Sequence, residues 1–366
     1  MNRKMEPDLI SSLADGDFQT AWKAPSNIAL IKYWGKHGNQ LPNNPSLSIT
    51  LKNAVTITPF HAKKREYNEL NKGGVSLKYF FNERQNKAFE ERIAQHMTEL
   101  QAELPFLAEY TIRAESSNTF PYSAGIASSA SSMATVSLFI TELEQIHTKS
   151  IYTENEFYRR ASGLARQFSG SASRSLFGGW TAWGASEAIP ESSDYHAVPL
   201  LTPLHPVFEN PGVAILLISS TPKKVSSTRG HQLMDNHPFA KARYKQARNN
   251  LLNLLEALAS GNFDQFSQIA ENEALTLHSL LMTSSPDGLL LKPESLHVME
   301  AVRDFRKATG TPVCFTLDAG PNILLIYPQE AKKEVATFID KSLFRFCENG
   351  KWIDDCMGKG PEKLRY

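Results

Sequence analysis

Residues 121–132, Pro-Tyr-Ser-Ala-Gly-Ile-Ala-Ser-Ser-Ala-Ser-Ser, form a run of small side chains that opens directly into a helical pattern. Small side chains let consecutive backbone N–H groups approach a ligand, and the start of a helix adds partial positive charge. The run therefore suits a phosphate, and Ser128 or Ser129 could give a hydroxyl to Mg²⁺. No Gly-x-x-x-x-Gly-Lys-Ser/Thr string occurs, so this is not a Walker loop. The competing reading is a small-residue helix packed tightly on a sheet.

A second cluster, Ser169-Gly170-Ser171-Ala172-Ser173-Arg174-Ser175, combines hydroxyls with one guanidinium and runs into Phe177-Gly178-Gly179-Trp180. Arg174 could grip a carboxylate through two parallel hydrogen bonds, with Ser169 and Ser171 donating to a neighbouring anionic oxygen. The bland alternative is a surface serine loop with a solvated arginine. Lys32 and Lys36 flank Tyr33-Trp34-Gly35 at the end of an apolar run, and Lys223, Lys224, Ser226, Ser227 and Arg229 follow another. Lysines at strand ends are usually just solvated, but several beside hydroxyls suit a diphosphate. Asp318 ends an apolar run and precedes Ala-Gly-Pro-Asn, so it is either a turn aspartate or a general base at the mouth of a sheet.

The elements that must position these residues read as mixed α and β. Strands are expected over 26–33 and 46–58, with the polar stretch 37–45 between them as a candidate site wall. Met133, Val136, Phe139 and Leu143 recur at helical spacing over 128–147, and Phe157, Ala161, Leu164 and Phe168 do the same. The Pro/His-rich stretch 201–212 is the best boundary, dividing the chain into 1–204 and 205–366. Beyond it come a strand over 213–219, helices over 239–258, 263–282 and 293–307, strands over 312–317 and 322–327, and a helix over 331–344. No repeat or low-complexity tract interrupts this order.

Composition narrows the function class. At 366 residues the chain exceeds one ordinary core, so two domains are expected. Apolar residues at 41% and charged residues at 21% are ordinary for a globular protein, and no run approaches a membrane helix. A formal net charge of +1 gives no global field for nucleic acid, so affinity for anions must be local. Cys314, Cys347 and Cys356 form no CxxC pair, which argues against a zinc site and a disulfide framework. The polar start of the chain does not read as a secretory signal, and a cytoplasmic location is expected.

Several strings together closely resemble the diphosphomevalonate decarboxylase family of the GHMP kinase superfamily. They are Ala24-Pro25-Ser26-Asn27-Ile28-Ala29-Leu30-Ile31-Lys32-Tyr33-Trp34-Gly35-Lys36, Gly125 to Ala130, Ser169 to Arg174, Lys223 to Ser227, and Leu317 to Asn322, in matching order over about 20–330. The resemblance implies an α+β, two-domain GHMP kinase fold, with an N-terminal domain like the second domain of ribosomal protein S5 and a ferredoxin-like C-terminal domain. It implies ATP and Mg²⁺, and phosphorylation of the C3 hydroxyl of mevalonate 5-diphosphate followed by loss of phosphate and carbon dioxide.

By the match, Asp318 accepts or orients the hydroxyl proton, Lys32 beside it favours the charged aspartate and the transferring phosphoryl group, and Arg174 holds the C1 carboxylate. Tyr33, Lys36, Ser169, Ser171 and Ser227 match substrate contacts; Ser123, Gly125, Ile126, Ala127, Ser128, Ser129 and Lys223 match ATP contacts. A homodimer is common among such proteins and is expected here. His37-Gly38, Pro45 and Ser173 depart from the usual pattern, which puts the 5-diphosphate in doubt more than the decarboxylation. Close relatives act on the 5-phosphate or only phosphorylate.

Overall fold

The computed structural model describes residues 17–66, 74–121, 126–221, 227–284 and 288–365. Its longest strands are β1 (Asp17–Ile31) and β2 (Ser46–Lys64), which pair antiparallel over almost their whole length. In the first half of β1, Phe18, Thr20, Trp22 and Ala24 are buried, the two-residue period that buries one face of a strand. Strand β1 therefore starts about nine residues before the expected position, because pairing with β2 continues as far as Asp17 opposite Lys63.

Around this pair an eight-stranded sheet assembles. Strand β3 (Ser76–Phe81) lies parallel to β4 (Tyr110–Asn118), and β4 and β5 (Trp180–Trp183) both pair antiparallel with β2. One core packs this sheet against α1 (Lys87–Glu99), α2 (Ser128–Thr148) and α3 (Glu154–Phe168). Helix α2 is buried over nearly its whole circumference although it carries many hydroxyls. Ser132, Ser137 and Thr141 resolve the conflict by donating to carbonyls four residues back, at 2.8 to 3.0 Å. Helix α3 starts in a capping box, with Thr153 and Glu156 satisfying each other's N–H groups.

A second sheet has the order β7 (Cys314–Thr316), β8 (Ile323–Tyr327), β6 (Gly212–Leu216), β9 (Trp352–Cys356), all antiparallel. Both faces are covered, which explains the unbroken apolar run of β6. Val213 and Ile215 face a core shared with the first sheet, α4 (Ala240–Ser260) and α5 (Phe263–Ser284). Ala214 and Leu216 face α6 (Pro293–Thr309) and α7 (Lys332–Phe338). The expected final helix is shorter than its pattern suggested, since a π turn takes over at Ile339–Leu343.

The C-terminal tail closes the structure. It supplies β9 to the second sheet, then returns as β10 (Glu362–Leu364) to pair with Ala21, Trp22 and Lys23 of β1. Within β9, Asp355 accepts N–H bonds from Lys52, Asn53 and Ala54 at 2.8 to 3.0 Å, so the tail fastens the two sheets to each other.

Candidate active site

The C-terminal half of β1 carries the residues around which the site forms. Its first contact is Ser26, whose hydroxyl donates to the carbonyl of Ile126 at the foot of α2. Asn27 is next; it donates to Ser175 Oγ at 2.8 Å and to the Ser171 carbonyl at 3.1 Å, and accepts from Arg174 Nε at 3.3 Å. Just past the strand end, Lys32 Nζ donates to Asp318 Oδ1 at 2.9 Å and to the Ala29 carbonyl at 2.5 Å. One strand thus gathers the small-residue run, the serine–arginine cluster and the aspartate, which lie far apart in sequence. Pairing irregularities between Pro25 and Asn27 and between Ala29 and Ile31 turn these side chains out of a regular ladder.

Lys32 is 2% exposed, so it is not the solvated lysine that usually ends a strand. Burial pushes its pKa down, while Asp318 and Glu273 pull it back up. Asp318 leaves β7 by way of Leu317, retains 28% side-chain exposure, and has its carbonyl bonded by His278 Nε2 of α5 at 3.0 Å. The aspartate is thus partly open on one side and anchored by its backbone on the other.

The serine–arginine cluster is not a surface loop, and its arginine is not solvated. Residues Gly170–Leu176 form 3₁₀ turns, and Arg174 is 3% exposed. Arg174 Nη1 donates to Ser46 Oγ at 2.7 Å, its guanidinium carbon lies 5.9 Å from the Trp183 ring, and Nη2 has no hydrogen-bond partner among the described residues. Burial lowers its pKa to about 10, against the nearby Asp318 charge, so it remains a cation at neutral pH. An arginine fixed at Nε and Nη1 with Nη2 left over is suited to a planar anion. Ser169 and Ser171 are half-buried beside it.

Tyr33 packs edge-on to Trp183 at 4.6 Å and against His231 at 4.2 Å, and its buried hydroxyl has no partner among the described residues. Burial raises its pKa, so it stays a phenol. A Cβ on Gly170 would sit 2.7 Å from Trp183 and 2.9 Å from the Tyr33 hydroxyl, which explains the glycine between two serines. Gly35, at φ +89°, donates its N–H to His231 Nδ1 at 3.0 Å. Lys36 is half-buried and bonded to Gln40 Oε1 at 2.8 Å; burial and nearby Arg92 lower its pKa. Residues 37–45, expected as a loop, contain a small hairpin pairing Lys36–His37 with Leu41–Pro42.

At the small-residue run, the described residues resume at Ile126. Ala127 adopts φ +49°, ψ +40°, immediately before the 21-residue helix α2. Ser128 is buried and its hydroxyl has no partner among the described residues, while Ser129 is half-buried. A buried orphan hydroxyl at a helix start fits a phosphate oxygen or a phosphate-bound Mg²⁺. The described residues contain no cluster of three metal-binding side chains, so phosphate oxygens would have to supply most of the ligands. Ser123, Gly125 and Lys223 lie outside the described residues; Ser227 begins a short helix, Ser227–Gln232, but its side chain lies outside them too.

Asn27, Ser46, Trp183, His231, Arg243, Glu273 and His278 also belong to this arrangement. Only a polar residue inside an apolar strand, or a charge at a core position of a helix, could have signalled them.

Residues 24–195 match the family described as "Diphosphomevalonate decarboxylase-like N-terminal domain", and residues 213–361 match "Mevalonate 5-diphosphate decarboxylase C-terminal domain". The chain is 30% identical over 355 residues to a diphosphomevalonate decarboxylase of Ganoderma lucidum, covering 91% of this chain and 84% of that one. Among solved structures it resembles the mevalonate diphosphate decarboxylase of Staphylococcus aureus, with TM-score 0.79, 27% identity, and coverage of 95% and 98% of the two chains. A structure described as MDDEF in complex with MVAPP, AMPPCP and magnesium has TM-score 0.79, 25% identity, and coverage of 96% and 100%.

Proposed function

This chain belongs to the diphosphomevalonate decarboxylase family, and on that premise we propose the following reaction and assignment of residues. It is an ATP-dependent decarboxylase that converts mevalonate 5-diphosphate to isopentenyl diphosphate, ADP, phosphate and carbon dioxide. The fold is the two-domain α+β GHMP kinase fold. The observation that carries the residue assignment is the contact of the buried Lys32 with the part-exposed Asp318, beside a buried arginine whose Nη2 has no partner among the described residues.

Asp318 accepts the proton of the C3 hydroxyl as that oxygen takes the γ-phosphoryl group of ATP. Lys32 neutralises charge on the transferring group, the use of a fixed cation in phosphoryl transfer. The C3–O bond then breaks, phosphate departs with the electron pair, and positive charge develops at C3. Arg174 grips the C1 carboxylate through Nη2, and the C1–C2 pair moves to close the double bond as carbon dioxide leaves. Tyr33, Lys36, Ser169, Ser171 and Ser227 contact the substrate; Ser123, Gly125 to Ser129 and Lys223 hold the ATP phosphates. The hydroxyl of Ser128 or Ser129 would help those phosphates hold Mg²⁺, which would supply charge neutralisation when bound.

We take 204/205 as the division between the domains, a reading supported by family matches that end at 195 and begin again at 213. No helix among the described residues is long and apolar enough to cross a membrane, and we propose a cytoplasmic homodimer with its cysteines reduced. Sedimentation as a monomer at micromolar concentration would remove the dimer.

The purified protein, incubated with Mg-ATP and separately with mevalonate, its 5-phosphate and its 5-diphosphate, is expected to release ADP and carbon dioxide in equal yield from the 5-diphosphate alone. Equal yields from the 5-phosphate would make it the sister decarboxylase. ADP without carbon dioxide would make it a kinase and remove the role of Arg174.

A further inference from the structure

We propose that Glu273 of α5, paired with Arg243 of α4, is a positioning residue that holds Lys32 against Asp318. The inference rests on the reading of Lys32 and Asp318 given above. Glu273 is fully buried, and Arg243 is 2% exposed. Their side chains meet as a fork, Nη1 to Oε1 at 2.7 Å and Nη2 to Oε2 at 2.5 Å, and Asn250 adds a third bond to Oε1 at 2.7 Å.

A buried ion pair is weak evidence for stability, since desolvation offsets the attraction, so its presence asks what else it does. Both partners reach the same residue. Glu273 Oε2 accepts the Lys32 N–H at 2.8 Å, and Arg243 Nη2 donates to the Lys32 carbonyl at 3.0 Å, joined there by Asn44 Nδ2 at 3.1 Å. The main-chain donor and acceptor of Lys32 are therefore bound by α4 and α5 rather than by a strand partner, one residue past the end of β1. Five residues further along α5, His278 bonds the carbonyl of Asp318. A single helix thus fixes the backbones of both members of the pair, which lie 286 residues apart in sequence.

Glu273 also contributes charge. The groups facing Lys32 are Asp318 from the β7–β8 turn, Glu273 from α5, Arg243 from α4 and Arg174 from the 3₁₀ turns. Two cations and two anions surround a third cation, and Glu273 is the anion that takes no part in the chemistry. Removing its charge leaves two buried guanidinium groups beside Lys32 opposed by Asp318 alone, which disfavours the ammonium.

Two readouts on the full-length protein test this. The first does not depend on which substrate the enzyme takes. In protein labelled with ¹³C-lysine, the Cε resonance of Lys32, assigned by its loss in Lys32→Arg, is followed across pH. Its midpoint is expected to fall in Glu273→Gln and to stay near the wild-type midpoint in Glu273→Asp, which keeps the charge. An unmoved midpoint in Glu273→Gln overturns the proposal. The second is steady-state kinetics of Glu273→Asp, whose retracted carboxylate cannot reach both Arg243 and the Lys32 N–H. We expect kcat to fall about tenfold or more, as for a misplaced catalytic group, with KM for both substrates within about threefold. Unchanged kcat in Glu273→Asp overturns the proposal, including where Glu273→Gln does not fold.

Discussion

The two ends of the site are built differently. At the Lys32–Asp318–Arg174 end, the proposed chemistry rests on side chains, and each is pinned: Lys32 by α4 and α5, Asp318 by His278, and Arg174 by Asn27 and Ser46. At the small-residue end, the described residues offer backbone at the start of α2, one orphan hydroxyl on Ser128 and a left-handed Ala127. The first design needs distant parts of the chain to converge, whereas the second needs only small residues before a helix. Substitutions should therefore act on turnover at the first end and on nucleotide affinity at the second.

The largest effect is expected from Asp318→Asn, which cannot accept the hydroxyl proton. Turnover should fall by about 10²- to 10⁴-fold while a fluorescent ATP analogue still binds. Near-normal release of carbon dioxide would remove the base role. Arg174→Lys comes next. A lysine cannot keep the bonds to Asn27 and Ser46 and also present a nitrogen to the substrate, so kcat/KM for the 5-diphosphate should drop about 10²-fold, with KM for Mg-ATP little changed. A loss of nucleotide affinity instead would break the division between the two ends.

At the other end, Ala127→Val puts a β-branched side chain at φ +49°, a conformation such residues avoid at a cost of about 1–2 kcal/mol. That corresponds to about a tenfold rise in KM for Mg-ATP, with kcat at saturation retained, measured from initial rates over a nucleotide series. A fall in kcat at saturating nucleotide would mean that the small-residue run also sets the geometry of the reaction.

The same contrast explains what the sequence revealed. The small-residue run at a helix start, the helix over 128–148 and the strands around Asp318 were legible because each depends on local pattern: small residues, 3.6-residue spacing, or an apolar run ending in a turn. The segment 76–118 and the tail were not. Strand β9, Trp352–Cys356, contains two aspartates and gains its conformation by pairing with β6. Asp318 and Lys32 could be singled out by type, and the family resemblance put them in one site. Nothing local shows that Glu273 and Arg243 form their frame, because a charge at a core position reads only as an exception until its partner is known.

His231 gives the finest test of how tightly the first end is pinned. Burial, with the charges of Lys36 and Arg174 added, depresses its pKa to about 3, and its Nδ1 accepts the Gly35 N–H. A folded-state pKa below the ordinary value near 6.5 means that the unfolded chain binds the proton more readily. The contribution to stability is thus complete above pH 6.5 and is lost as pH falls towards 3. Between pH 7 and pH 5 the loss should be about 2 kcal/mol, seen as a falling Tm by calorimetry. His231→Asn can still accept from Gly35 but does not titrate, so its Tm should be less sensitive to pH over that interval. Equal pH sensitivity in the two proteins would mean that water reaches the imidazole and that this wall of the site opens in solution.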